Sequence, residues 1–588
     1  MLLRLPSCAP QFLRAIPVSC LLLAVPLGAI AQANPSSPRA FIEQLRQQER
    51  EQALRAQQEK SLDSRLQQEA KAHEERLPAS ESPCFRIDHL VLSGERSGEF
   101  QWVLDAAGGP DANDGPIGHC IGTQGIDVVM ARLQQAIIAR GFVTTRVLAA
   151  PQDLSSGTLT VTLVPGRVAA IRATPDSSGR FGSNRMLLLG AIPARPGDLL
   201  DLRDIEQGLE NLKRVPTAEA DIQIEASASR DARPGDSDLV VKYMQRRTLR
   251  GTLSLDDSGT ESTGRYQAGA TVSADNLLGL NDLFYVNANH SVDGYFLGNP
   301  RRGTEGQTVH YSLPWGDWLL GLTASNSQYR QTVAGANAGI VYAGKNRNAE
   351  LKLSRLVHRD QHRKTTLAIR AFQRASRSFA DDAEIPIQHR VTGGWEASLS
   401  HKEFIGEATA DGTLAWRQGT GAFGARRAPE EQFDEGTSRL RLVTADVSLN
   451  APFKLGAQKF RYVGQWRAQW NRTQLTPQDR FAIGGRYTVR GFDGETSLLG
   501  DRGWLLRSDI GWAAGASGAE LYVGIDYGQV GGKSALALAG NHLAGAVIGV
   551  RGACKGLSYD VFAGAPVSKP AGFRTAWLAA GLNLNFSF

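Results

Sequence analysis

The stretch KFRYVGQWRAQW, residues 459–470, decides the fold class because its side chains alternate in character with a period of two. One face is aromatic and the other is charged or amide-bearing: Phe460, Tyr462, Trp466 and Trp470 stand against Lys459, Arg461, Gln465, Arg467 and Gln469. Successive side chains of a strand point to opposite faces, so the pattern predicts a strand. The charged face excludes the core of a soluble β-sandwich, whereas lipid outside and a polar lumen inside account for both faces.

The same alternation begins and ends the stretch 247–588. Its apolar members are Leu249, Gly251, Leu253 and Leu255 in the first strand and Leu582, Leu584, Phe586 and Phe588 in the last. We therefore predict a mostly β protein with a transmembrane antiparallel β-barrel in a bacterial outer membrane. These 342 residues accommodate 16 strands at about 21 residues each, and composition alone also allows 14 or 18; the choice of 16 rests on a resemblance to known outer-membrane barrels. The ending in Phe586 and Phe588 resembles the signal that such barrels present to the barrel assembly machinery, which implies that machinery, periplasmic chaperones and outer-membrane lipid as partners.

The composition of the whole chain narrows its class. A length of 588 residues indicates two to four folding units. Residues 1–31 have the features of a secretory signal peptide: Arg4 and Arg14 precede an apolar run that ends in Ala29-Ile30-Ala31. The formal net charge is +6, but the basic pairs are scattered rather than gathered on one face, so no nucleic-acid partner is expected.

Residues 32–83 contain a polar helical stretch. From Arg39 to Arg76 the chain is rich in Gln, Glu, Arg and Ala and lacks Gly and Pro, which favours a helix or two. The few apolar residues do not form a stripe wide enough to pack into a core. Such a helix suits solvent, a linker or a water-filled lumen with polar walls, and these alternatives stay open at this point.

Residues 84–165 and 166–246 repeat one layout of strand, helical stretch, helix, strand and strand. In the first unit the predicted elements are strand Phe85–Leu92, helix Ile126–Ala139 and strands Phe142–Leu148 and Thr158–Val164. In the second they are strand Val168–Ala173, helices Arg185–Leu189 and Leu202–Lys213, and strands Ala220–Ala226 and Asp238–Tyr243. The layout, just ahead of a barrel, resembles the POTRA module of outer-membrane assembly and export proteins. Open sheet edges in such modules can accept an extended client chain.

Two cysteines, Cys84 and Cys120, bracket one segment of the first unit. In an oxidising compartment a disulfide between them would stabilise the fold by about 4 kcal/mol on the loop-entropy model. A metal site is a poor alternative because His119 is the only nearby ligand of another type.

Two motifs near the C-terminus are chemically complementary. Val489-Arg490-Gly491-Phe492 lies in a loop rich in glycine, and Gly524-Ile525-Asp526-Tyr527-Gly528 lies in a strand whose alternation turns Gly524, Asp526 and Gly528 inward. A loop arginine and a lumen carboxylate can form a charge-assisted, bidentate bond that anchors the loop. The alternative is that both are ordinary charges of a water-filled barrel. The two motifs resemble signatures of the POTRA-barrel superfamily, in which the same pairing occurs.

Signal peptide, polar helix, two modules and barrel together resemble the TpsB transporters of two-partner secretion, across nearly the whole mature chain. The flanks Pro83-Cys84-Phe85 and Cys120-Ile121-Gly122 resemble the haemolysin-type branch. The resemblance implies that the helix plugs the pore, that the modules bind the secretion domain of a large exoprotein (haemolysin, adhesin or contact-dependent inhibition toxin), and that export proceeds without ATP. It places the barrel in the bacterial outer membrane and the N-terminal domains in the periplasm.

Sequence motifs of enzymes are missing from the chain, and neither a catalytic residue, a cofactor nor a metal is predicted. Gly-x-Ser-x-Gly and His-Glu-x-x-His do not occur, and Gly532-Lys533-Ser534 lacks the earlier glycine of a phosphate loop because Tyr527 stands there. The main alternative function is that of an outer-membrane protein assembly factor, a BamA/TamA-like insertase. Such factors usually carry three or five modules and lack the polar helix. A passive porin would have no reason for the modules.

Overall fold

A computed structural model describes residues 39–59, 63–66, 76–109, 112–178, 184–292, 302–334, 338–515 and 518–588. The predicted signal peptide, residues 1–31, lies outside the described residues. The described chain consists of an N-terminal helix, two α+β modules and a closed antiparallel barrel, which confirms the predicted fold class. Among the described residues, none of the helices has both the length and the apolar character needed to span a bilayer.

Helix α1 (Arg39–Gln58) carries side chains that are largely polar, in keeping with its sequence. It ends well before Arg76, and residues 63–66 and 76–78 are not helical. Helical composition therefore continues past Gln58 into described residues that are not helical.

The first module packs helices against a three-stranded sheet. Its elements are β1 (Phe85–Arg86), β2 (His89–Gly94), a 3-10 helix (Ser97–Gly108), β3 (Cys120–Ile121), α2 (Thr123–Ala139), β4 (Arg146–Leu148), a 3-10 turn (Leu154–Ser156) and β5 (Thr158–Val164). The sheet order is β2-β5-β4, with β2 and β5 parallel. The predicted strand Phe142–Leu148 shortens to β4 because Gly141, at φ +105°, turns the chain and Phe142 packs on Phe100 with ring centroids 5.0 Å apart.

The disulfide Cys84–Cys120 joins the start of the first module to β3, with Cα atoms 5.3 Å apart. Next to it, the Glu81 carboxylate accepts hydrogen bonds from the main-chain N–H groups of Gln124 (2.8 Å) and Gly125 (3.0 Å). A carboxylate there satisfies open donors of α2 and opposes the positive end of its dipole. The approach of the linker to the module is thus fixed by a covalent bond and by a helix cap.

The second module has the same order of elements: β6 (Arg167–Ala173), α3 (Asn184–Ala191), α4 (Leu202–Leu212), β7 (Ala218–Ala226) and β8 (Asp236–Gln245). Its sheet order is β6-β8-β7. The apolar side chains of Ile205, Leu209 and Leu212 on α4 are at most 5% exposed and belong to the core of this module. Asp201 caps α4 by accepting from Arg203 N at 2.8 Å.

Among the residues that the structure describes, sixteen long strands close the barrel. They are β9 (Leu249–Asp256), β10 (Gln267–Asp275), β11 (Leu283–Ser291), β12 (Gly303–Trp315), β13 (Trp318–Ala334), β14 (Gly339–Arg359), β15 (Arg363–Ala380), β17 (Arg390–Ile405), β18 (Ala408–Thr420), β19 (Arg441–Leu455), β20 (Gln458–Asn471), β23 (Arg502–Ala513), β24 (Ala519–Gly531), β25 (His542–Cys554), β26 (Leu557–Ser568) and β27 (Ala579–Ser587). The short β16 (Ala383–Glu384) pairs antiparallel with the last two residues of β15. Two further short strands, β21 (Phe481–Ile483) and β22 (Leu498–Gly500), form a separate antiparallel pair.

The barrel closes where β27 pairs with β9, from Asn583 opposite Asp256 to Ser587 opposite Thr252. Phe588 continues the pairing, since its N–H and C=O each bond Gly251 at 3.0 Å. A Cβ atom on Gly251 would lie 2.5 Å from the Phe588 ring. The terminal aromatic residue therefore covers a glycine at the closing seam.

The second module docks on the end of the barrel that carries the short turns. Gly316 N donates to Gly190 O at 2.7 Å, and Asn211 Nδ2 donates to Gly316 O at 2.8 Å. On the module side of this junction, burial, reinforced by neighbouring carboxylates including that of Asp317, raises the pKa of Asp204 to about 7. The junction thus combines these hydrogen bonds with apolar contacts, since Leu283 and Tyr285 of β11 belong to the buried cluster of the second module, and one of its carboxyl groups has a pKa near neutrality.

Candidate functional site

The loop between β20 and β23 folds back into the barrel. The β21–β22 pair and the segment that connects these two strands bury Ile483, Val489 and Phe492, each at most 4% exposed, against the inner wall. Phe492 meets Phe573 edge to face, with centroids 5.7 Å apart. This apolar contact inside a polar lumen brings residue 490 to the wall.

Arg490 and Asp526, the pair that the two motifs suggest, are in direct contact. Arg490 Nε donates to Asp526 Oδ2 at 2.7 Å, and Nη2 donates to Oδ1 at 2.8 Å. The main-chain N–H of Arg490 adds a third bond to Oδ2 at 2.9 Å. Asp526 is 0% exposed and Arg490 3%, so solvent screens this bidentate pair little.

A second carboxylate, Asp509 on β23, completes the site. The sequence motifs did not predict it. Arg490 donates to both of its oxygens, through Nη1 at 3.3 Å and Nη2 at 2.5 Å. The alternation of β23 could have predicted this carboxylate: Leu506 and Ile510 face outward, and Asp509 lies on the opposite, inward face. Asp509 faces Gly524 across the β23–β24 ladder, directly beside the motif.

Glycines make room for the loop at the wall. A Cβ on Gly524 would lie 2.3 Å from Asp509 Oδ1, and one on Gly528 would lie 2.8 Å from Val489 Cγ2. The closest approach is at Gly545 on β25, where a Cβ would lie 1.9 Å from the carbonyl oxygen of Arg490. The loop itself turns at Gly491, whose φ of +90° favours glycine.

Further inward-facing charges surround the Arg490 site. Arg507 Nε lies 3.8 Å from Asp526 Oδ2, and Arg551 Nη1 lies 3.3 Å from Asp509 Oδ2. The two carboxylates therefore face three guanidinium groups, with Arg490 at the shortest distances. Among the described residues, no group of three or more His, Cys, Asp or Glu side chains could hold a metal ion.

Helix α1 lies in the lumen beside this loop. In the first half of α1 Arg46 donates to Gly494 O of the loop at 2.5 Å, and near the middle of the helix Arg50 Nε donates to Ser258 Oγ at 2.9 Å. In the last turn Arg55 forms an ion pair with Glu350 on β14. At the C-terminal end Gln58 Oε1 accepts from Arg250 Nη1 at 2.9 Å. The helix therefore runs from the level of the loops to the level of the short turns.

The wall that receives Arg55 carries a ladder of alternating charge. Arg370 donates to Glu350 at 2.9 Å and to Glu396 at 2.7 Å, and Arg417 donates to Glu396 at 2.7 Å. Glu396 is shared by two arginines of the neighbouring strands, whereas Glu350 is shared by Arg370 and by Arg55 of α1. This polar surface suits a polar helix rather than an apolar one.

Residues 235–552 match the family model of the haemolysin secretion/activation protein ShlB/FhaC/HecB, and residues 85–166 and 167–226 match POTRA domain models, the first of ShlB type. The chain belongs to this family, the TpsB transporters of two-partner secretion. It is 37% identical to outer membrane transporter CdiB-2 of Burkholderia pseudomallei over 87% of both chains, and 27% identical to CdiB of Dickeya dadantii over 87% of this chain and 88% of that one. The solved structure of CdiB from Acinetobacter baumannii aligns with TM-score 0.82 and 29% identity, covering 95% of this chain and all of that one.

As a TpsB transporter, the protein is not an enzyme; its barrel lies in the outer membrane and its POTRA domains lie in the periplasm. The short-turn end of the barrel, where the second POTRA domain docks, is thus the periplasmic end. In the sheet order of each POTRA domain, β2 and β4 or β6 and β7 are the outer strands. Val91 on β2 is 43% exposed and Leu148 on β4 is 54% exposed, so apolar side chains lie at both edges of the first domain.

Proposed function

We propose that this transporter recognises the secretion domain of a large partner exoprotein in the periplasm and exports it through its barrel without ATP. In this proposal the modules at residues 84–165 and 166–246 bind the partner, α1 plugs the resting pore, and Arg490 and Asp526 anchor the lumen loop. The similarity to two CdiB transporters favours a partner of the kind that CdiB transporters export over a haemolysin or an adhesin.

The observation that carries the proposal is the position of α1. Glu43, Gln47 and Gln58 are 2%, 6% and 3% exposed, although their side chains are polar. Their burial takes place against the polar lumen wall rather than in an apolar core. Water or an extended chain can replace such polar contacts with little loss of free energy, whereas an apolar interface would resist exchange. A plug of this kind can leave the barrel without unfolding it.

The contact between plug and loop can break without detaching the loop from the barrel wall. Arg46 of α1 reaches the carbonyl of Gly494, only four residues beyond Arg490. Departure of α1 would leave that carbonyl open while the Arg490 bonds still hold the loop. The wall anchor therefore keeps the loop in place when the plug leaves, which preserves a defined conduit.

Removal of the plug tests the conduit. We expect deletion of residues 39–76 to raise ion conductance in planar bilayers several-fold, because the helix fills the lumen. A matched control is Gln57→Ala, which truncates an exposed side chain of the same helix. Conductance of the deletion variant equal to that of the control would contradict the plug.

Partner recognition needs a secretion assay. We expect deletion of the second POTRA domain to stop release of the partner into the medium while the barrel stays in the outer membrane. Unchanged release would contradict the proposed role of the domains. For energy coupling, purified transporter in liposomes should translocate urea-unfolded partner with no nucleotide present, and a requirement for ATP would contradict that part of the proposal.

A further inference from the structure

A short piece of the linker, residues 63–66, is held at the periplasmic mouth of the barrel by its main chain. Ser64 N donates to Glu210 Oε1 at 3.0 Å, and Leu66 N donates to Glu206 Oε1 at 2.9 Å. The carbonyl of Ser64 accepts from Arg359 Nη2 at 2.6 Å. We call Glu206, Glu210 and Arg359 the main-chain clamp.

The clamp forms hydrogen bonds with main-chain N–H and C=O groups, which every polypeptide carries. An extended chain presents the N–H and C=O of residue i and the N–H of residue i+2 on one edge, and the N–H of residue i+1 on the other. The bonds at Ser64 and Leu66 follow this spacing. Because none of the three bonds involves a linker side chain, the clamp recognises the extended main chain rather than a particular sequence.

The clamp is built from buried carboxylates that are already paired with basic side chains: Glu210, like Glu206, has partners outside the linker, Arg359 Nη2 at 2.9 Å and Lys364. Glu206 is 0% exposed and Glu210 is 8% exposed. Arg359 Nε also donates to Glu206 at 3.2 Å, and Arg203 holds the same carboxylate through Nη1 at 2.8 Å. These bonds fix the clamp on α4 of the second POTRA domain and at the end of β14. Without a chain in place, the two carboxylates keep these basic partners and lose one main-chain donor each, so each has an acceptor position open for another chain.

Side chains on either side add a modest preference. Lys402 Nζ binds Asp63 Oδ2 at 2.8 Å, and the guanidinium of Arg65 lies 4.3 Å from the centroid of Phe404. Leu66 packs against the core of the second POTRA domain. The linker therefore fits the clamp, but its fit depends most on the main chain.

We propose that the main-chain clamp is a binding site for the extended polypeptide during export, and that residues 63–66 occupy it at rest. This inference rests on the proposed function, because a chain that passes from the POTRA domains into the lumen crosses the junction of α4 and β14. Movement of α1 out of the lumen pulls on the linker and vacates the clamp. The resident linker thus prevents clamp and lumen from being open when no partner is present.

Main-chain methylation tests the clamp directly. The protein is the variant that lacks residues 39–76, purified in detergent, and the probe is a fluorescent peptide with the sequence of residues 59–76. N-methylation at the Ser64 or the Leu66 position removes one bonded donor and should weaken binding about tenfold. N-methylation at the Arg65 position is the matched control and should change affinity less than about twofold, since that N–H faces the other edge. Equal losses at all three positions would overturn the clamp.

The nature of the occupant is tested with a second peptide and with the full-length protein. A peptide of the same composition in scrambled order should bind the deletion variant within about tenfold of the linker peptide, because the main chain is unchanged. Full-length protein, whose clamp is filled, should bind either peptide at least about tenfold more weakly. Failure of the scrambled peptide to bind would show that the site accepts only the sequence of the linker, and it would overturn the proposal.

The proposed function is judged separately in the same deletion variant by its conductance. Raised conductance together with binding that ignores N-methylation refutes the clamp and leaves the conduit standing. Unraised conductance with methylation-sensitive binding refutes the plugged conduit, and with it the exported chain as occupant of the clamp.

Discussion

Replacement of Arg490 by Ala is the perturbation whose size the structure defines best. It removes four side-chain hydrogen bonds to two carboxylates and leaves Asp526 and Asp509, both nearly inaccessible, without their main partner. Loss of one partner from a buried ion pair costs about 3–5 kcal/mol. Arg507 and Arg551 stay within 4 Å and compensate in part, so we expect about 3 kcal/mol. That is roughly a hundredfold rise in the detached population of the loop.

Hydrogen exchange and secretion measure this effect. Amides of residues 484–494 should lose about a hundredfold of their protection, and partner release should fall sharply while the barrel keeps its folded gel mobility. Arg472→Ala is the matched control, because it removes an exposed arginine near the start of the same loop. Adding Asp526→Asn to Arg490→Ala should recover part of the loss, since one unpaired buried charge disappears. Protection and release equal to those of Arg472→Ala would refute the anchored loop.

Three further predictions concern the wall and the POTRA domains. Gly545→Ala should displace the lumen loop and reduce export, whereas Gly412→Ala, whose nearest neighbour would be 3.9 Å away, should be silent in hydrogen exchange and secretion. Replacing Cys84 and Cys120 by Ser should lower the unfolding free energy of the first POTRA domain by about 4 kcal/mol in urea titration, and a loss below about 1 kcal/mol would contradict the loop-entropy estimate. The pKa of Asp204 is raised from 3.8 to about 7, so its carboxyl lowers stability as pH rises through that interval. The melting temperature of Asp204→Asn should therefore exceed that of the native protein by more at about pH 8 than at about pH 5. An equal difference at both pH values would refute the raised pKa of Asp204.

Alternation alone predicted which face of four barrel strands, β9, β20, β24 and β27, meets the lumen. In β24 it placed Asp526 inward and Ile525 outward, and these are 0% and 67% exposed. The same reading extended to β23 would have found Asp509. Only Asp526 was predicted, because it belongs to the motif. The distance from Arg490 to Asp509 depends on the register of β23 against β24, which the sequence does not give.

The extent of the N-terminal helix could not be predicted in the same way. Helix propensity is local, and it stays high beyond Gln58, where α1 ends. At Ser64 and Leu66 the main-chain donors bond to Glu210 and Glu206 instead of to the preceding turn of a helix. Tertiary hydrogen bonds with buried carboxylates thus override a favourable local composition.

The sequence by itself determined the membrane barrel, its two faces, the repeated modules and the residue types of the lumen pair, because the two-residue period of a strand is set by local backbone geometry. Only the tertiary structure decided that Arg490 is shared between two carboxylates, that the polar helix lies inside the barrel, and that the linker is held by its main chain at the barrel mouth. Those contacts join residues as far as 448 positions apart, as between Arg46 and Gly494. They exist because closure of the barrel at β27 and β9 fixes which walls face one another, and no local pattern carries that information.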